Sequence, residues 1–180
     1  MTNLVYDVRR YYRTVAQFID AELADRGDCS FWQAVGRDHR RGRILELGCG
    51  SGRVTELLAS SGARVMGLDI STEMLALARK RLARHNVWLV MGDLRELPLR
   101  GRFNVIVAPD DPFSHLTSGS ERQQALCALA SQLEPNGRLI VDALWFSEEE
   151  ERQRSATGGQ VLRHTADVRG RRVQVTERWS

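Results

Sequence analysis

The chain has 180 residues, a net charge of +3, and 42% hydrophobic and 27% charged residues. That balance excludes a disordered or fibrous chain and suits one core of ordinary size. Its longest apolar runs, such as Val105 to Pro109 and Leu139 to Val141, fall far short of the roughly 20 residues of a membrane span. With no signal-type apolar stretch in Met1 to Arg10, a cytoplasmic location and no membrane partner are expected. Cys29, Cys49 and Cys127 are scattered without a CxxC pair, which argues against both a disulfide framework and a metal site. Nearly all positive charge is arginine, and the basic clusters His39-Arg40-Arg41-Gly42-Arg43 and Arg169-Gly170-Arg171-Arg172 are short and glycine-broken. A nucleic-acid partner would need a longer basic stripe.

Val15, Phe18, Ile19 and Leu23 recur at helical spacing, which predicts an amphipathic helix over Val8 to Ala24, ended by Gly27-Asp28. A second short helix is expected over Phe31 to Val35. Strand and helix signals then alternate. Arg43 to Leu47 reads as a strand, Arg53 to Ala59 as a helix, and Ala63 to Leu68 as a strand. Ser71 or Thr72 would cap a helix over Glu73 to Arg84. Val87 to Met91 and Phe103 to Ala108 are the next strands. Glu121 to Leu133 is a helix, and Pro135-Asn136-Gly137 turns the chain into a fifth strand, Arg138 to Ala143. Apolar strands separated by helices predict an α/β fold: a Rossmann-like, doubly wound, mainly parallel sheet. Residues 1–42 would form an N-terminal helical cap, 43–143 the core and 144–180 a helix and hairpin, all within one domain.

At the first strand–helix junction stands Glu46-Leu47-Gly48-Cys49-Gly50-Ser51-Gly52. Glycines here allow a sharp turn and let a ligand approach closer than any Cβ would permit. Asp69 ends the second strand about 20 residues on, where a carboxylate can accept hydrogen bonds from a ribose. Asp93 follows the third strand, well placed for an adenine edge. Polar groups on three neighbouring strand ends mark the ligand crevice of an open α/β sheet.

The order Glu46-Leu47-Gly48-Cys49-Gly50-Ser51-Gly52, Gly67-Leu68-Asp69-Ile70-Ser71 with Met74-Leu75, Gly92-Asp93-Leu94 and Leu133-Glu134-Pro135-Asn136-Gly137-Arg138-Leu139 resembles class I S-adenosylmethionine-dependent methyltransferases. It is similar to their small-molecule branch, which includes glycine and sugar-amine N-methyltransferases. The resemblance implies S-adenosylmethionine as cofactor. Gly48, Cys49, Gly50 and Gly52 would border its methionine part. Glu46 would act on the amino group, directly or through water, or orient the loop. Asp69 would hold the ribose, Ile70 and Met74 would flank the adenine, Asp93 and Leu94 would read its amino edge, and Pro109 would be a further cofactor-binding residue.

A nicotinamide-dependent reductase is the rival. The spacing here is GxGxG rather than GxGxxG, and a Tyr-x-x-x-Lys pair is excluded because the single lysine, Lys80, has Ala76 four positions before it. Methyl transfer mainly asks an enzyme to align a nucleophile, exclude water and remove a proton. Phe113-Ser114-His115-Leu116 is similar to the Asn-Ser-Phe-x-His-Leu segment of glycine N-methyltransferases, with Asp111 in place of Asn and Pro112 in place of Ser. Asp111 could attract an amine or take its proton, with His115 as a second polar contact; a turn or cap role for Asp110 and Asp111 and a structural hydrogen bond for His115 are the alternatives. By the resemblance, the N-terminal helix with Tyr6, Asp7, Tyr11 and Tyr12 would close over the cofactor, Tyr12 among the catalytic candidates; aromatics that pack a surface helix onto the core are the alternative. Arg53, after the last glycine, could pair with a carboxylate but reads first as an exposed residue at a helix start.

Gln160 to Trp179 alternates on either side of Arg169-Gly170, which predicts an antiparallel hairpin. By the resemblance it is either the family's antiparallel sheet edge or a cap inserted after the fifth strand. In the second case the sheet is truncated, and a fragment, a homodimer or a degenerate, cofactor-binding accessory protein follows. The expected activity is methyl transfer to a small-molecule acceptor, an amine first. An RNA acceptor is disfavoured because no Asn-Pro-Pro-Tyr-type motif follows the fourth strand.

Overall fold

The computed structural model describes residues 8–22, 26–142, 152, 160–168 and 171–178. Two compact units are present, one of Met1–Ala16 with Arg26–Ala143 and one of Gln17–Asp25 with Leu144–Ser180. The first contains α2 (Cys29–Asp38), β1 (Arg43–Leu47), α3 (Arg53–Ala59), β2 (Arg64–Asp69), α4 (Thr72–Arg81), β3 (Val87–Met91), β4 (Phe103–Ala108), α5 (Gly119–Gln132) and β5 (Leu133–Val141). Helix α1 (Val8–Glu22) begins in this unit. In the second unit, β6 (Gln160–Val168) pairs antiparallel with β7 (Arg171–Arg178). Among the described residues no helix is long and apolar enough to cross a membrane.

The five strands of the first unit are all parallel, in the order β3-β2-β1-β4-β5. The chain leaves β1 towards β2 and β3, then returns to add β4 on β1's other side. Carboxyl ends of neighbouring strands therefore diverge between β1 and β4, where such sheets form their ligand crevice. Central strands flanked on both sides are buried nearly throughout, as β1 and β4 are. Strand β3, at the sheet edge, keeps Trp88 and Met91 exposed.

Alternation along β1 and β4 divides the core between the two faces. Ile44, Val105 and Val107 pack with Trp32 and Val35 of α2 and Val54 and Leu58 of α3. Leu45, Leu47, Ile106 and Ala108 pack on the other face with Leu129 of α5, backed by Leu94 and Phe113. Helix ends follow local chemistry. The Ser71 Oγ accepts from the Met74 N–H at 3.2 Å, so α4 starts at Thr72, one residue before the expected Glu73. Ser118 and Glu121 form a capping box that starts α5 two residues early.

One expected turn is corrected. Pro135-Asn136-Gly137 lies inside β5, because the register passes from Phe103 opposite Leu133 to Val105 opposite Arg138. The proline and glycine are accommodated as a bulge rather than a connection, as those residues are in strands.

Helices α2 and α3 approach through Gly36. A Cβ there would lie 2.6 Å from the Leu58 carbonyl oxygen and 3.0 Å from its Cα, both backbone atoms that cannot rotate away. Gly→Ala inside a helix ordinarily stabilises by roughly 0.5–1 kcal/mol. Gly36→Ala should instead cost about 1–3 kcal/mol through overpacking, read as a lower urea midpoint in circular dichroism. A raised midpoint would contradict this packing.

Candidate functional site

The glycine turn leaves the end of β1 with Gly48, Gly50 and Gly52 all at positive φ, between 54° and 85°. Residues with a Cβ adopt this region only with strain, so the sequence needs glycine here. At Gly50 a Cβ would also meet the Met74 methyl at 3.1 Å. The turn is pinned from below: Cys49 N–H donates to the Leu68 carbonyl at 3.0 Å, and its buried thiol is pushed up by desolvation.

Asp69 organises the adjoining strand end. One carboxylate oxygen accepts the Gly50 N–H at 2.8 Å and the other the Ser71 N–H at 2.8 Å. The Ile70 N–H also pulls on this carboxylate, which still keeps acceptor capacity for an outside donor such as a hydroxyl. Desolvation raises its pKa, against the pull of those backbone bonds. Ile70 and Met74 flank this point, Ile70 half-buried and Met74 buried under the turn.

Glu46 lies below the turn on the α3 side of the sheet and is only 2% exposed. Its carboxylate accepts the Thr55 hydroxyl at 2.6 Å, which ties β1 to α3 across the loop between them. Burial pushes its pKa up to about 8.

Asp93 is closed by an arginine that the sequence reading did not single out. Arg95 donates from its backbone N–H at 2.9 Å and its Nε at 3.0 Å to one Asp93 oxygen, and from Nη2 at 2.6 Å to the other. It also reaches Glu121 at 2.6 Å. The guanidinium holds the Asp93 carboxyl below its usual range. Leu94 turns away from it into the core face of Leu45 and Leu47.

At the end of β4, buried Pro109 leads into Asp110 and Asp111, two consecutive left-handed residues at φ 57° and 49°. Such residues carry roughly 1–3 kcal/mol of strain each and persist only where the surroundings fix them. Here Asp142 does much of the fixing. Its carbonyl accepts the Asp111 N–H at 3.0 Å, its carboxylate accepts the Asp110 N–H at 3.3 Å, and its own N–H donates to Ala108 at 3.0 Å. The short 3-10 turn Pro112–His115 follows, with Pro112 3.0 Å from where a Gly48 Cβ would stand. The two loops that diverge from β1 and β4 thus touch.

Arg53 is corrected from a solvated helix-start residue to a charge centre, its side chain 12% exposed. It grips both Asp28 oxygens, at 2.7 and 2.9 Å, and reaches Asp110 at 3.3 Å. Arg26 pairs with the other Asp110 oxygen. Asp28 stands at the N-cap of α2 yet caps nothing, because its carboxylate is taken by Arg53 and by the Trp32 indole N–H at 2.9 Å. Arg53 holds the Asp28 carboxyl below its usual range.

The structure brings Tyr12 and His115 together, hydroxyl to Nε2 at 2.9 Å. Burial lowers the His115 pKa, against an upward pull from Asp111. Tyr6 and Asp7 lie outside the described residues, and Tyr11 packs edge-on against Tyr12. Among the described residues no cluster of His, Cys, Asp and Glu could hold a metal ion.

Glu46 gives a pH test. Its folded pKa, about 8, exceeds the ordinary 4.5, so its contribution is complete below pH 4.5 and is lost as pH rises towards 8. Asp69 acts in the same direction and His115, lowered by burial, in the opposite one, so the readout is a difference. Glu46→Gln should gain stability over the wild type progressively across that window, by a few kcal/mol at its top, in urea titrations at stepped pH. A constant difference would contradict a buried, protonated Glu46.

Residues 44–137 match the family described as methyltransferase domain. The dTDP-3-amino-3,6-dideoxy-alpha-D-glucopyranose N,N-dimethyltransferase of Streptomyces fradiae is 32% identical over 130 residues, 72% of this chain and 48% of that protein. The dTDP-3-amino-3,4,6-trideoxy-alpha-D-glucopyranose N,N-dimethyltransferase of Streptomyces venezuelae is 30% identical over 144 residues, 80% of this chain and 57% of that protein. The chain spans about half the length of these curated relatives. Among solved structures, DesVI of Streptomyces venezuelae aligns with a TM-score of 0.71 at 26% identity, covering 95% of this chain and 70% of that one. SAM-bound CalS10, an amino pentose methyltransferase from Micromonospora echinaspora, aligns with a TM-score of 0.67 at 29% identity, over 84% and 61%. With over half of its residues inside the family match and the fold of both solved relatives, the chain belongs to the methyltransferase-domain family.

Proposed function

We propose that this protein binds S-adenosylmethionine at the carboxyl ends of β1, β2 and β3 and methylates a small-molecule amine. The observation that carries the reading is Asp69, a buried carboxylate with acceptor capacity left, beside a turn whose three glycines stand at positive φ. The bound cofactor supplies an electrophilic methyl group on a sulfonium. Donor and acceptor chemistry fit it: Asp69 would accept from the ribose hydroxyls, Ile70 and Met74 would flank the adenine, and the Gly48–Gly52 backbone would border the methionine part. Arg95 keeps Asp93 ionised and oriented with one lone pair left on the oxygen that Nη2 contacts, an acceptor for the adenine amino group.

An amine attacks only as the free base, so a proton must leave before or during transfer. His115 is kept neutral by burial and is oriented by Tyr12, which suits it to accept that proton. Asp111 stabilises the resulting imidazolium, as its upward pull on His115 implies. The similarity to sugar-amine N,N-dimethyltransferases supports nitrogen as the methyl acceptor.

Calorimetry with S-adenosylmethionine tests the reading. The wild type should bind one equivalent, and Asp69→Asn should bind about tenfold more weakly, from lost charged hydrogen bonds worth roughly 1.5–3 kcal/mol. Unchanged affinity would overturn the ribose assignment. No binding to the wild type would overturn the cofactor.

A further inference from the structure

A cavity of about 480 Å³ opens between the end of β5 and the entry of α2, lined by Arg26, Asp28, Phe31, Trp32, Ile140 and Asp142 among others. It belongs to the same carboxyl edge of the sheet as the glycine turn, and its size falls within the usual range of small-molecule sites. Its charges differ in how they are spent. Arg26 is paired with Asp110, and Asp28 is gripped by Arg53. Asp142 is the cavity carboxylate without a cationic partner among the described residues, since its carboxylate accepts only the Asp110 backbone N–H. Among the described residues the cavity therefore carries one uncompensated negative charge.

Beside that charge stands an aromatic wall. Phe31 is 51% exposed and is held in place by edge-to-face contact with buried Trp32, the ring centroids 4.8 Å apart. An exposed, fixed aromatic ring next to an unpaired carboxylate suits a flat or puckered ring that carries a cation: C–H groups and the cation meet the aromatic face, and the cation meets the carboxylate. Through its three hydrogen bonds to Ala108, Asp110 and Asp111, Asp142 also shares its wall with the loop that bears Asp111 and His115. Asp28, also in the lining, is joined through Arg53 to Asp110 of the same loop.

We propose that this cavity receives the methyl acceptor as a ring-borne primary or secondary ammonium, with Asp142 as its counter-ion and Phe31 as its platform. The identification of the ligand as the acceptor rests on the methyl-transfer reading; the preference for an ammonium rests on the cavity alone. Asp142 is then a specificity-determining residue, which favours an amine over the hydroxyl compound of the same shape.

The test uses the whole chain saturated with S-adenosylhomocysteine and titrated with dTDP-3-amino-3,6-dideoxy-alpha-D-glucopyranose and with its 3-hydroxy counterpart. The wild type should prefer the amine by about tenfold, the scale of one charged hydrogen bond. Asp142→Asn should remove that preference while S-adenosylhomocysteine affinity stays unchanged. Because Asp142 also fixes the strained turn, a second measurement on the wild type stands by itself. As pH rises through the pKa of the ligand's amine, amine affinity should fall to that of the hydroxy compound, whose own affinity stays level. Equal affinity for the two compounds in the wild type, a preference that survives Asp142→Asn, or binding of S-adenosylhomocysteine with neither compound would overturn the proposal and leave the cofactor reading intact. Failure to bind S-adenosylhomocysteine would overturn the cofactor reading instead.

Discussion

The Arg53 guanidinium is where the three segments around the crevice meet. It starts α3 directly after the last glycine of the turn, grips Asp28 at the entry of α2, and reaches Asp110 at the end of β4. Little of it touches water, so its charge must be neutralised by carboxylates whose positions it then dictates. Arg26 adds a second cation to Asp110, and the cluster of two arginines and two aspartates is neutral. Without it, Asp28 and Asp110 would face each other as like charges across the crevice, and the left-handed pair Asp110-Asp111 would lose one of its two anchors. The other anchor is Asp142 at the end of β5.

The remaining chemistry is arranged around that frame by short bonds within each strand end. Asp69 joins the turn to β2, Glu46 joins β1 to α3 through Thr55, and Arg95 joins Asp93 to the first turn of α5. Each spends a charged or buried polar group on orienting backbone. Each of these joins lies at the carboxyl edge, so the crevice is set before a ligand arrives, which lowers the ordering cost of binding. On our reading, cofactor and acceptor then occupy neighbouring sections of one edge, divided by the contact of Pro112 with the glycine turn.

Much of this was legible in the sequence because it is local. Strands β1, β3 and β4 and helix α3 match their predicted bounds, since apolar runs and glycine punctuation act over a few residues. The glycine turn, Asp69 and the Tyr12, Asp111 and His115 candidates were visible as motif and resemblance. What was hidden is pairing across the chain. Nothing near Arg53 announces a partner 25 residues before it or 57 after it. Asp28 looked like part of a turn because its carboxylate is committed to a tertiary partner instead of a cap. Pro135-Asn136-Gly137 carries every sign of a turn, yet pairing with β4 on both sides absorbs it as a bulge. Asp142 looked like the tail of a strand, and its value comes only from the cavity beside it.

On our reading, one edge of this sheet brings a methyl donor and an amine together. The most direct measurement is a single-turnover reaction of the full chain with methyl-labelled S-adenosylmethionine and a panel of ring amines, analysed for label on nitrogen. Labelled amine should form in step with S-adenosylhomocysteine. Bound cofactor with no label on any amine of the panel would contradict it.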